Sequence, residues 1–236
     1  MKLIGLISPN LSEDTLVDVY KILPEGIRIE GRALNVGKYT DDEFNRAERA
    51  FADLVRELAR HPLDFLMVTG ELFLSYKGPG SDQQILNLVK QITPTPASTV
   101  LTAVVRGCHA LGLKRVVMAS PFPEDQDERL VRFLAHDGID VVAFRGLGCP
   151  NSDVIWALPP ETGYDLATAL LREHPDVDGV YIPCNKWRTV SVIDRVEKQT
   201  GKPVVTNTQA WIWEALRAMG MQQPIPGYGG LLSDGN

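Results

Sequence analysis

Cys184 closes an apolar run and opens the polar loop Asn185-Lys186-Trp187-Arg188, ahead of a segment with helical periodicity. A thiol beside Lys and Arg and near a helix N-terminus is expected to have a lowered pKa. Such a group could serve as a nucleophile or carry a proton to or from carbon. The same position also suits a small apolar residue packed at a strand end. Cys108, inside Val105-Arg106-Gly107-Cys108-His109-Ala110, reads as core. Cys149, in Gly148-Cys149-Pro150-Asn151, reads as a structural loop residue that could border a cleft. Asn10, after Gly5-Leu6-Ile7-Ser8-Pro9, could offer its amide to a carboxylate or cap the next helix. Gly78-Pro79-Gly80-Ser81 could take an anion at a helix N-terminus, but it lacks the nucleotide-binding glycine patterns. The acidic run Glu124-Asp125-Gln126-Asp127-Glu128 reads as a solvated helix start, with its charges well placed on the helix dipole.

The elements that must position these residues alternate. Short apolar runs bounded by turn residues, at 3–7, 65–68, 115–119, 141–144, 177–182 and 203–205, predict buried parallel strands. Helical patterns fall at 40–60, 98–111, 124–137, 162–173, 189–200 and 207–219. The first opens on Thr40 with Glu43 three residues on, a capping-box signature. The second and the last stop at Gly112 and Gly220, C-cap signals. Alternating βα units predict a parallel sheet with helices on both faces.

The 236 residues carry 44% hydrophobic and 23% charged side chains, ordinary for a globular chain of one large or two smaller domains. The net charge of −6, without a basic cluster, argues against nucleic acid as a partner. No apolar run reaches the roughly 18 residues of a membrane span, and the N-terminus does not read as a secretory signal. Three cysteines without CxxC spacing predict neither a disulfide framework nor structural zinc, and fit a reducing cytoplasm. The four histidines lie at helix ends or on helical faces, so no metal site is expected.

The chain also repeats itself. Asp64-Phe65-Leu66-Met67-Val68-Thr69-Gly70 matches Asp178-Gly179-Val180-Tyr181-Ile182-Pro183-Cys184 at an offset of 114, and the segment 97–113 matches 205–221 at an offset of 108. Two similar α/β halves follow, approximately 1–112 plus 207–236, and 113–206. Ligands of open α/β sheets sit outside the carboxyl ends of strands. Gly70-Glu71 and Cys184-Asn185 are therefore expected to face each other across a cleft.

The order of these segments resembles the aspartate/glutamate racemase superfamily, and within it the arylmalonate decarboxylase and maleate isomerase group. The resemblance rests on Gly5-Leu6-Ile7-Ser8-Pro9-Asn10, on Gly70 with Ser75-Tyr76-Lys77-Gly78, and on Lys114-Arg115-Val116-Val117-Met118-Ala119-Ser120-Pro121 with Asp127-Glu128-Arg129-Leu130. It continues through Asp178-Gly179-Val180 to Cys184, Gly201-Lys202-Pro203-Val204-Val205, Trp213-Glu214-Ala215-Leu216-Arg217 and Pro226-Gly227-Tyr228-Gly229, covering nearly the whole chain. It implies two pseudo-symmetric flavodoxin-like halves and a cofactor-independent enzyme acting on a small carboxylate, as a monomer or homo-oligomer. It also implies one catalytic position on each side of the substrate. Racemases and maleate isomerases carry Cys at both positions; arylmalonate decarboxylases carry only the second. Here the two are Gly70 and Cys184, the residues the internal repeat pairs independently.

One thiol delivers a proton from one face, which suits decarboxylation followed by stereospecific protonation of an enediolate. Several donors expected around such an intermediate are missing. Glu71 and Leu72 stand where hydroxyl residues follow the glycine. Phe122 and Phe44 replace tyrosines, and Asn185 replaces the glycine after the cysteine. Glu71 would repel a dianion unless it is protonated or paired with Lys186 or Arg188. It could instead be a second acid/base opposite Cys184, or an exposed loop carboxylate. Asn10, Lys186 and Arg188 are the candidate carboxylate contacts, and Leu72, Phe73, Phe122, Ile155, Trp156 and Trp187 the expected determinants of pocket size. The expected activity is decarboxylation; cis–trans isomerisation, racemisation and plain carboxylate binding are the alternatives.

Overall fold

Strand residues 65–68 and 179–182 are buried throughout, as a parallel strand covered on both faces requires. In the computed structural model, which describes residues 1–233, they are third in two sheets built alike. The first half runs β1 (Lys2–Ser8), α1 (Glu13–Ile22), β2 (Ile27–Ala33), α2 (Asp41–Leu58), β3 (Phe65–Val68), α3 (Glu71–Ser75), α4 (Ser81–Ile92), β4 (Ala97–Thr99) and α5 (Val100–Ala110). The second runs β5 (Arg115–Ser120), α6 (Glu124–His136), β6 (Asp140–Gly146), α7 (Ser152–Ala157), α8 (Pro160–Glu173) and β7 (Gly179–Ile182). A 3₁₀ turn (Thr189–Val192), α9 (Ile193–Thr200) and β8 (Val204–Thr206) complete it, and α10 (Asn207–Ala218) and α11 (Gly230–Ser233) follow. The strand orders are β2-β1-β3-β4 and β6-β5-β7-β8, every neighbouring pair parallel.

Equivalent residues do equivalent work in the two halves. Asp64 accepts a hydrogen bond from the Leu3 amide at 2.8 Å, and Asp178 accepts from the Arg115 amide at the same distance, each tying the start of its sheet's third strand to the second. Thr99 and Thr206 cap α5 and α10, accepting from Thr102 N at 3.1 Å and Gln209 N at 3.2 Å. The capping threonines are 107 residues apart, one fewer than the offset between Gly112 and Gly220, because α10 is one residue longer than α5. Both glycines take the left-handed φ (+72° and +74°) that ends a helix. Helix α10 packs against α5, β3, β4 and α1 as well as β8, so it serves both halves.

Several elements were not legible as strands or helices. β2 is an edge strand with mixed burial and a charge at alternate positions, so it shows no apolar run. Residues 97–99 form β4 rather than the start of a helix, since Thr99 caps the helix that begins at Val100. The helices expected after Asn10 and after Gly80 are α1 and α4. Thr40 caps α2 by accepting from the Glu43 amide, but the Glu43 carboxylate turns to the Gly37 amide at 3.0 Å instead of closing a box.

Candidate active site

Gly70 and Cys184 each sit two residues beyond the end of a central strand, and both take a left-handed backbone, with φ of +100° and +82°. At Gly70 only a glycine fits: a Cβ there would lie 2.2 Å from Pro9 Cγ. Cys184 adopts the same turn with a side chain, which costs of the order of 1 kcal/mol or more. Backbone held in such a conformation by its surroundings is a common signature of a functional position. Asn35 is the other non-glycine at positive φ among the described residues.

Both strand ends open into one cavity of about 490 Å³, open solvent included. Asn10, Gly70, Leu72, Phe122, Asn185 and Lys186 line it together with Glu71 and Cys184. Ser8, Thr15, Val36, Tyr39, Phe44, Phe73 and Ser152 complete the wall with Pro9. Arg188 is not part of that wall. Its guanidinium stacks 4.5 Å from the centre of the Trp156 ring and faces the Leu158 carbonyl. Ile155, Trp156 and Trp187 also lie outside the lining; Trp187 is buried in the second half's core. Sequence reasoning missed Tyr39, Val36 and Ser152 because they come from loops and a helix start that carry no motif. They enter the cavity only when the halves close on each other.

Cys184 does not have the lowered pKa that its neighbours in sequence suggested. Cys184 is 9% exposed, and burial, followed by the carboxylate of Glu71, pushes its thiol pKa well above the ordinary value. The backbone amides of Lys186 and Trp187 pull the other way and do not win. The reason is local: the segment after the loop begins as a 3₁₀ turn at Thr189, and the α-helix starts only at Ile193, too far for its dipole to reach the sulfur.

Glu71 is not an exposed loop carboxylate. It is 4% exposed, at the first position of α3, and makes no pair with Lys186 or Arg188. Lys186 instead reaches across the mouth to Ser12 Oγ at 3.2 Å. Burial raises the Glu71 pKa from 4.5 to about 7, against hydrogen bonds from its own amide and the Cys184 amide and the pull of the Asn207 side chain. Asn207 Oδ1 accepts from the buried Tyr181 hydroxyl at 2.7 Å, while Asn207 Nδ2 closes no hydrogen bond of normal geometry. The Glu71 carboxylate is thus coupled to Cys184, and its charge raises the thiol's pKa.

The Asn10 amide donates to the Val36 carbonyl at 2.7 Å and to Ser152 Oγ at 3.3 Å, joining the two halves at the mouth. Ser12, not Asn10, caps α1. Ser81 at the start of α4 turns its hydroxyl back to the Leu74 and Gly78 carbonyls. The acidic run at α6 is only partly solvated. Glu124, Asp125 and Glu128 are exposed, but Asp127 is fully buried, accepts from Ser120 Oγ and has its pKa raised to about 7 by burial. Ser120 Oγ in turn accepts from the Phe122 amide at 3.0 Å, so Asp127 braces the loop that carries Phe122 into the cavity. Cys108 and Cys149 are buried, with thiols raised by burial, Cys108 to about 12. Among the described residues no helix is long and apolar enough to cross a membrane.

The family model for arylmalonate decarboxylase matches residues 4–232. An arylmalonate decarboxylase of Bordetella bronchiseptica is 28% identical over 232 residues, covering 98% of this chain and 96% of that protein. A maleate isomerase of Pseudomonas putida is 24% identical over 217 residues, covering 90% and 86%. Among solved structures, a liganded mutant of arylmalonate decarboxylase, with a glycine-to-cysteine and a cysteine-to-serine exchange, superposes with a TM-score of 0.91. Its identity is 26%, with 99% of this chain and all of that one covered.

Proposed function

We propose, for a chain that belongs to the arylmalonate decarboxylase family, that it decarboxylates a small, apolar 2-substituted malonate and protonates the resulting enediolate from one face. The observation that carries this reading is a single buried thiol, held as S–H, facing a glycine in a largely apolar cavity. A protonated thiol is the form that gives a proton to carbon. Covalent addition to an alkene needs the thiolate, which this site disfavours.

The walls supply Pro9, Val36, Phe44, Leu72, Phe73 and Phe122 for the apolar substituent, and Lys186 as the cation at the mouth. One carboxylate leaves as CO₂ as its bond to Cα breaks. The electron pair passes into the retained carboxylate, and Cys184 S–H delivers its proton to Cα. Solvent then reprotonates the sulfur. Near neutral pH Glu71 is partly protonated, which lessens its repulsion of the dianion. These steps use no cofactor or metal. The three free, buried cysteines support a reducing compartment, the cytoplasm.

Proton NMR in D₂O with phenylmalonate, maleate and chiral 2-arylpropionates, on wild type and Cys184→Ala, tests the reading. Loss of one carboxyl with one deuterium placed at Cα, abolished in Cys184→Ala, is expected. Fumarate from maleate would assign isomerisation. Exchange at Cα without carbon loss would assign racemisation with Glu71 as partner. Binding of these acids without any conversion would leave a carboxylate-binding protein.

A further inference from the structure

Most polar groups in the cavity wall are already bonded to protein. Ser8 Oγ and Thr15 Oγ1 both donate to the Asn10 carbonyl, at 3.1 and 3.2 Å. The Asn10 amide spans Val36 and Ser152, Asn185 Oδ1 accepts from Thr208 at 3.3 Å, and Lys186 rests on Ser12. The hydroxyl of Tyr39 makes no hydrogen bond to any described residue. Its half-buried ring is nonetheless fixed, edge-on to Phe122 with centroids 5.7 Å apart and planes at 86°. A rigid aromatic donor without a protein partner, in a cavity otherwise short of donors, is a preorganised site for developing negative charge.

We propose that the Tyr39 phenol donates a hydrogen bond to the oxyanion formed on the substrate's retained carboxylate, standing in for the hydroxyl that its neighbour Phe122 lacks. The proposal rests on the decarboxylase reading. When the bond from Cα to the departing carboxyl breaks, its electron pair moves onto the retained carboxyl as an enediolate. Tyr39 O–H binds one of those oxygens without giving up its proton, and the proton for carbon comes from Cys184. Burial, with Cys184, Glu71, Cys149 and Asp153 nearby, makes loss of the phenolic proton harder still, so Tyr39 stays a donor.

The test compares wild type, Tyr39→Phe and Tyr39→Phe/Phe122→Tyr. It measures phenylmalonate turnover and, by calorimetry, binding of benzohydroxamate, whose two adjacent oxygens on a near-planar frame mimic an enediolate. Tyr39→Phe is expected to lower kcat by about 10²–10³-fold with little change in KM, and to weaken benzohydroxamate at least about tenfold. Returning a hydroxyl through Phe122→Tyr is expected to restore part of both. Unchanged turnover, or a kcat loss with unchanged benzohydroxamate affinity, would overturn the donor role; the latter would leave Tyr39 a packing residue. A wild type that binds benzohydroxamate through Tyr39 but leaves phenylmalonate intact would sink the decarboxylase reading and keep the donor. A wild type that does neither would overturn both.

Discussion

Glu71 and Cys184 share one low-dielectric pocket, so each sets the other's protonation. Removing the charge of Glu71 in Glu71→Gln is expected to lower the thiol's pKa, because that carboxylate is the largest cause of its elevation after burial. Alkylation of Cys184 by iodoacetamide at pH 7 should therefore be slow in the wild type and several-fold faster in Glu71→Gln, read by mass spectrometry of the labelled peptide. The same burial fixes the sign of a stability effect. Glu71 and Asp127 have pKa values raised to about 7 in the folded chain, against 4.5 and 3.8 for the free groups. Between those limits the folded state holds protons that the unfolded state has lost. Each group thus lowers stability as pH rises through that window, by at most about 1.4 kcal/mol per pH unit, and has no further effect above it. Thermal melts from pH 4.5 to 7.5 should show a shallower pH dependence for Glu71→Gln and for Asp127→Asn than for the wild type. At this scale the sequence was legible for residue types and not for environments. Cys184 was read correctly as a strand-end thiol beside the Gly70 position. Its acidity is set by burial and by the Glu71 carboxylate, which outweigh the pull of Lys186, and neither is visible in the residues adjacent in sequence.

At the scale of elements, the site depends on two strand-end turns that reverse φ. Cys184 carries a Cβ where glycine would be unstrained, so Cys184→Gly should be more stable than Cys184→Ala by about 1 kcal/mol, although both lose the thiol. Chemical denaturation of the pair would show it; equal midpoints would mean the turn relaxes when the thiol is removed. Gly70→Ala should cost more, because its Cβ meets Pro9 as well as a φ of +100°. The strands bearing these turns are legible, since β3 and β7 are short, fully buried runs without a charge, each followed two residues on by Gly70 or Cys184. β2 was not, because an edge strand with one face against helices mixes Ile27 and Ile29 with Arg28, Glu30 and Arg32. Helix α3 was invisible for a different reason: its five residues owe their shape to burial against the cavity and α4, not to periodicity.

At the scale of the molecule, the two halves repeat one another down to the aspartates that tie the third strands to β1 and β5. Asp64→Ala and Asp178→Ala should each lower stability by about 1–2 kcal/mol, through loss of the charge-assisted bonds to the Leu3, Lys114 and Arg115 amides. The halves meet through α5 and α10 and through bridges at the mouth, Asn10 to Ser152 and Lys186 to Ser12. The repeat of 114 residues between Gly70 and Cys184 was the sequence feature that located the cavity, since it paired two positions that no local motif connects. What it could not supply was the third dimension of the wall, where Tyr39 and Phe44 of one half meet Phe122 of the other. An asymmetric wall with a thiol on one side implies a chiral product. The most direct measurement is the enantiomeric composition of 2-phenylpropionate formed from 2-methyl-2-phenylmalonate. A single enantiomer in large excess, and no product from Cys184→Ala, is the predicted result; racemic product, or turnover that survives the loss of Cys184, would contradict proton delivery by that thiol.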